Sequence, residues 1–85
     1  KATSNKRSLE WVKSCGEAVK WQERARWVRA GKFYTSSGVA AGMDMALGFI
    51  CDHFGKELAQ NIANETEYNW QESSKIDKFA KIYGY

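Results

Sequence analysis

Three groups of residues in this 85-residue chain could do chemistry. The first is Ser36-Ser37-Gly38, where the strand-like run "KFYTS" gives way to a helical one. A strand entering a helix this way gathers free backbone N–H groups and a helix end carrying about half a positive charge, a setting suited to an anion or a carbonyl oxygen. A capped helix after a strand is also an ordinary structural feature. The second group is Cys51-Asp52-His53. These are metal-ligand types, but residues i and i+2 of a helix point apart. The chain has one His, so no metal site is expected; His53 reads as a surface residue and Cys51 as a small hydrophobe. The third is Asp44, the one charge between Val39 and Cys51. It serves a site or pairs with a Lys or Arg of the basic segment before it. No Ser/His/Asp set and no carboxylate pair is legible, so the chain holds no self-sufficient active site.

The elements that must carry these residues follow from pattern. "KATS" resembles the tail of a strand, and Asn5 is a helix N-cap. Residues 6–15 form a helix with Leu9, Trp11 and Val12 on its apolar side, stopped by Gly16. "AVKWQ" and "ARWVRAGKFYTS" are strand-forming, the latter a hairpin turning at Arg29-Ala30-Gly31. A helix runs from about Val39 to His53 and ends at Gly55. A second follows over "KELAQNIANETEY", with Leu58, Ala59 and Ile62 on one side, and the tail is a loop ending in a short helix. The 39–53 helix has almost no polar side, unlike a surface helix of a small domain. It needs more covering protein than the other residues readily provide, which points to a part of a larger domain.

Composition narrows the function classes. Hydrophobic residues at 44% and four Trp exclude disorder. Residues 1–37 carry nine Lys/Arg against three Glu, and residues 38–85 carry four Lys against seven acids. With a net charge of only +3, the basic half reads as solvated strand and helix surface, not as a nucleic-acid partner's footprint. Interleaved aromatic and basic residues in the hairpin could stack single-stranded nucleic acid; a half-buried strand pair is the simpler reading. No segment reaches the roughly 18 apolar residues of a membrane span, and no signal peptide is present. Two Cys read as reduced thiols of a cytoplasmic protein, although the Asn64-Glu65-Thr66 sequon is compatible with secretion. The chain lacks an initiator Met, which implies a processed, cleaved or artificial start.

Taken together, "KATSNKRSLEWV", "ARWVRAGKFYTSSGVAAGMDMALGFICDHFG" and "ELAQNIANETEYNW" resemble the C-terminal half of the ThiJ/PfpI superfamily, relatives of class I glutamine amidotransferases. The family pattern T-S-x-G-V-x-A-G-x-D-x-x-L falls on Thr35, Ser36, Gly38, Val39, Ala41, Gly42, Asp44 and Leu47, and G-x-x-x-A-x-x-[IV]-A on Gly55, Ala59, Ile62 and Ala63. The variants in this chain are most similar to the isonitrile-hydratase-type branch. The resemblance implies an α/β fold in which residues 1–85 form the C-terminal half of a flavodoxin-like three-layer sandwich. A companion chain or preceding segment would supply the N-terminal half, including the reactive Cys on a strand–helix elbow and a carboxylate partner. It also implies a homodimer of the completed domain, to which the apolar helix often contributes, and a small-molecule ligand with no cofactor. Asn5, Ser36, Ser37 and Gly38 are the implied substrate-binding residues, with no catalytic residue on this chain. Many relatives have a His where Asn5 stands, and Asn cannot shuttle protons as His does. Two functions follow: hydration of an isonitrile or attack on a related carbonyl substrate, or a non-catalytic ligand-binding, stress-response or interaction role.

Overall fold

In the computed structural model, which describes residues 1–85, the chain is an α/β domain of four α-helices and one antiparallel strand pair. Asn5 Oδ1 accepts a bond from Arg7 N at 2.9 Å, capping a 3-10 turn over Lys6–Ser8 that runs into α1, Leu9–Cys15. The sequence predicts one helix over 6–15; its first three residues wind tighter, a common form of helix start. Gly16 ends α1. Only Leu9 of this helix is buried, and Trp11 stands 70% exposed.

Strands β1, Trp27–Ala30, and β2, Phe33–Ser36, pair with Trp27 opposite Ser36 and Ala30 opposite Phe33. The loop is therefore Gly31-Lys32, not the predicted Arg29–Gly31. A two-residue hairpin loop needs positive φ at its first position, and Gly31 (φ 60°) supplies it, which leaves Ala30 in the ladder. "AVKWQ" does not become a strand. Trp21 makes one parallel bridge to Ala2, with Ala2 N donating to Lys20 O at 3.2 Å and Gln22 N donating to Ala2 O at 2.7 Å. The N-terminal stretch turns at Asn5 before more pairs can form.

Helix α2, Val39–Phe54, lies between Gly38 and Gly55. The φ of 100° at Gly55 lets the chain reverse into α3, Lys56–Glu65. Ala59 and Ala63 are the buried residues of α3, whereas Leu58 is 44% exposed, so the apolar side predicted from Leu58, Ala59 and Ile62 is rotated. Small side chains let helices approach closely, which favours the alanine side at the contact. A long irregular segment then crosses to α4, Lys78–Ile82. No helix is long and apolar enough to cross a membrane.

The core is small: Leu9, Trp27, Ala41, Leu47, Ala59, Ala63 and Ala80 are its buried hydrophobic residues. Four of the seven are alanine, so it buries little apolar area for a chain of this length. Helix α2 buries Ala41, Asp44, Leu47 and Gly48, while Val39, Met43, Phe49 and Phe54 are exposed. Helix α2 is thus buried along one side, around Asp44 and Leu47.

Gly48 is a point of closest packing, because a Cβ there would lie 2.9 Å from the Trp27 ring. Alanine is the better helix former, but Trp27 is buried and cannot yield. Gly48→Ala should therefore lower stability by about 1–3 kcal/mol, the usual cost of overpacking. Urea unfolding followed by Trp fluorescence measures it; an unchanged midpoint would show that the ring is free to move.

Candidate functional site

The charged residues of the interior meet around Arg26, which immediately precedes β1. Its Nε donates to Asp44 Oδ2 at 2.8 Å, and its Nη1 lies 3.5 Å from Asp77 Oδ1. Asp44 was expected to pair with a cation of the basic segment, and it does. Its second oxygen accepts from Tyr68 Oη at 2.8 Å and from the Gln71 backbone N–H at 3.0 Å. Its backbone carbonyl accepts from Trp70 Nε1 at 3.2 Å. A carboxylate that is 1% exposed needs this full set, because an unsatisfied buried charge is costly.

A second buried cation, Lys6, lies on the other side of Asp77. Its Nζ is surrounded by Ala25 O at 2.6 Å, Thr3 Oγ1 at 3.0 Å, Ser37 Oγ at 3.2 Å and Ser4 O at 3.3 Å. Asp77 Oδ2 lies 3.5 Å away and accepts no hydrogen bond, while Oδ1 caps α4 by accepting from Phe79 N at 3.1 Å. Burial pushes the Lys6 ammonium below the ordinary lysine value, an effect strengthened by Arg26 and opposed by Asp77. Lys6 had no legible signal in the sequence: within "NKR" it reads as a solvated charge.

This clamp positions the predicted site residues. Ser37 is held by Lys6 from beneath and by its own N–H, which donates to Arg26 O at 2.8 Å. Gly38 is the N-cap residue of α2 and brings no side chain to the helix end. Asn5, Ser37 and Gly38 line one cleft of about 280 Å³ together with Arg7, Asp77 and Tyr83. Ser36 lies apart, in β2 opposite Trp27 and near Gly42. The cleft combines an uncapped helix start with the Arg7 guanidinium, so it can receive an oxygen carrying negative charge. Asn5 Oδ1 is spent on Arg7 N, which leaves its amide N–H₂ as the free donor.

The remaining candidates fall elsewhere. His53 is exposed, with its ring tilted against Phe49 at a centroid distance of 4.4 Å. Cys51 is half-buried and lines a different cavity, beside Trp27 and Trp70, and Cys15 is exposed at the end of α1. No group of three or more His, Cys, Asp or Glu is placed to hold a metal ion. No family model and no curated protein matches the chain.

Two outcomes follow from the network. Asp44→Ala leaves the Arg26 guanidinium with only the longer Asp77 contact and removes the acceptor of Tyr68 and Gln71, and should cost about 3–5 kcal/mol; chemical denaturation against the wild type measures it, and a loss below about 1 kcal/mol would make the pair no stronger than a surface one. Burial, then its bond to Asp44, raises the Tyr68 phenol above its usual value of 10.0. The folded state therefore keeps a proton that the unfolded state releases, and stability falls as pH climbs past 10. Lys6 acts oppositely, since a lowered lysine gives up its proton first in the folded state. Tyr68→Phe should accordingly lose less stability than the wild type above pH 10, as read by thermal unfolding across that range; an equally steep fall would assign the effect to other groups.

Proposed function

We propose that this chain is the C-terminal half of a flavodoxin-like three-layer domain of ThiJ/PfpI type, and that a companion polypeptide carrying the N-terminal half completes it. The convergence of Asn5, Ser37 and Gly38 on one cleft at the start of α2 carries this reading. The two-stranded sheet agrees with it, because an isolated strand pair is marginal without further strands. The companion supplies those strands and the nucleophilic Cys. In the completed pocket, the Cys thiolate adds to the terminal carbon of an isonitrile while a nearby acid delivers a proton to that same carbon, which gives a thioimidate with an N=CH–S linkage. Water then attacks the resulting thioimidate, and a formamide leaves with regeneration of the thiol. This chain's part is to hold the substrate: Ser37 and the α2 N-terminus receive developing negative charge, and Asn5 offers its amide donor.

A second reading, ligand binding without turnover on the same scaffold, is favoured by one observation. Asn5 stands where a proton-shuttling His is expected, and its side-chain carbonyl already serves as a helix cap.

Assay of the two-part assembly on a simple aryl isonitrile, following the formyl proton by NMR, separates the two. Turnover should survive Cys15→Ser and Cys51→Ser unchanged, and Ser37→Ala should lower kcat/KM about tenfold, the loss of one ordinary hydrogen bond. No formamide from an assembly that still binds the isonitrile selects the binding role. Loss of turnover on Cys51→Ser would place the nucleophile on this chain and overturn the proposal.

A further inference from the structure

The isonitrile chemistry uses no lysine, yet the chain buries an amine against a hydroxyl. Lys6 is 2% exposed, and its Nζ lies 3.2 Å from Ser37 Oγ. The four oxygens within hydrogen-bonding reach of Nζ are not equivalent. The Ala25 and Ser4 carbonyls can only accept. The Thr3 hydroxyl donates its own proton to Gln22 O at 2.8 Å, so towards Lys6 it also accepts. Ser37 is therefore the one neighbour able to give Nζ a proton. A neutral Lys6 keeps two N–H bonds, to Ala25 O at 2.6 Å and Thr3 Oγ1 at 3.0 Å, and turns its lone pair to Ser37. Only that one bond has to reverse.

The charges facing Lys6 set how readily it does so. Burial favours the neutral amine and the Arg26 guanidinium adds to this, while Asp77, with Oδ2 at 3.5 Å, opposes both. The net effect lowers the ammonium below the ordinary lysine value. Ser37 itself is half-buried and shares with Lys6 the cleft of about 280 Å³, which Val39, Phe79 and Tyr83 border. The first N–H groups of α2, which have no side-chain cap, open two residues beyond it.

We propose that Ser37 is a nucleophile with Lys6 as its general base, forming an acyl-transfer centre that takes a short carboxylic ester. Base, nucleophile and oxyanion donors are the three parts such a centre requires, and all three border one cleft. Ser37 Oγ adds to the acyl carbon as its proton passes to Lys6 Nζ. The backbone N–H groups at the start of α2 receive the oxyanion. Lys6 returns the proton to the alkoxide as the ester C–O bond breaks. Water, giving a proton to Lys6, then cleaves the acyl–Oγ bond; a carboxylic acid leaves, and Lys6 restores the Ser37 proton. This activity goes beyond the isonitrile chemistry, because it needs neither a thiol nor the companion segment.

The test uses the 85-residue chain carrying Cys15→Ser and Cys51→Ser, so that no thiol competes. An alkyl fluorophosphonate is the probe: Ser37 Oγ bonds to phosphorus, the P–F bond breaks, fluoride leaves and Lys6 takes the proton. Peptide mass spectrometry should find one adduct, on Ser37. Its rate of formation should rise with pH and level off, with a midpoint below the ordinary lysine value of 10.5. Reaction driven by hydroxide alone keeps climbing instead. Ser37→Ala should carry no adduct and show unchanged far-UV circular dichroism. Lys6→Arg keeps a cation facing Asp77 but cannot give up its proton, so labelling should slow about a hundredfold, as for a lost general base. Should that variant unfold, the pH profile of the parent chain decides alone. No adduct, an adduct at another residue, a rate that never levels, or a folded Lys6→Arg chain labelled as fast would each overturn the assignment. A failed isonitrile assay leaves this result intact, and the reverse holds.

Discussion

The structure depends on the buried contact between Asp44 and Arg26. An apolar helix with one carboxylate on its inner side cannot be buried unless that carboxylate is matched, and the guanidinium 2.8 Å away matches it. The remaining lone pairs are then filled by Tyr68 and the Gln71 amide, both from the irregular segment after α3. One side chain thereby fixes three parts of the fold against one another: α2, the entry to the hairpin, and the strand-free crossing to α4. With a core of seven mostly small residues, apolar burial gives few other means of doing so. Replacing such a pair by well-matched apolar residues is often neutral, so its value here lies in specifying one arrangement.

The pair is tied to the candidate cleft, which Arg26, Asp77 and Lys6 line. Arg26 bridges Asp44 to Asp77, Asp77 faces Lys6, and Lys6 holds the Ser37 hydroxyl. The loop that enters α2 is thus held from below by a chain of four charged groups, two of each sign. Their sum is zero, which leaves the helix start and Arg7 as the uncompensated positive features at the opening. A rigid floor beneath an uncapped helix end suits a site that must present backbone N–H groups without rearrangement.

Sequence pattern located the elements whose signals are local. Gly16 and Gly55 mark real helix ends, the hairpin lies where Val, Trp, Phe and Tyr gather, and Asp44 pairs with a cation from the basic segment. What it could not supply was set by tertiary contact. The burial of Lys6 depends on oxygens from Thr3, Ala25 and Ser37, far apart in sequence, and nothing in "NKR" distinguishes it from a solvated lysine. The role of Tyr68 depends on an irregular segment that carries no periodicity. "AVKWQ" has strand composition but only Ala2 to pair with, so composition alone overstates it. Of the candidate residues, Asn5, Ser37 and Gly38 line one cleft, where the helix-start pattern is a local signal, while Ser36 belongs to the ladder.

The Gln71 amide gives the most direct test, because it lies outside any helix or strand and its one acceptor is Asp44 Oδ1. Hydrogen exchange followed by NMR should find this N–H as protected as the amides in the middle of α2, opening only when the domain unfolds. Exchange at the rate of a free loop would mean that Asp44 does not hold the segment down, and the account of how this small core is specified would fail.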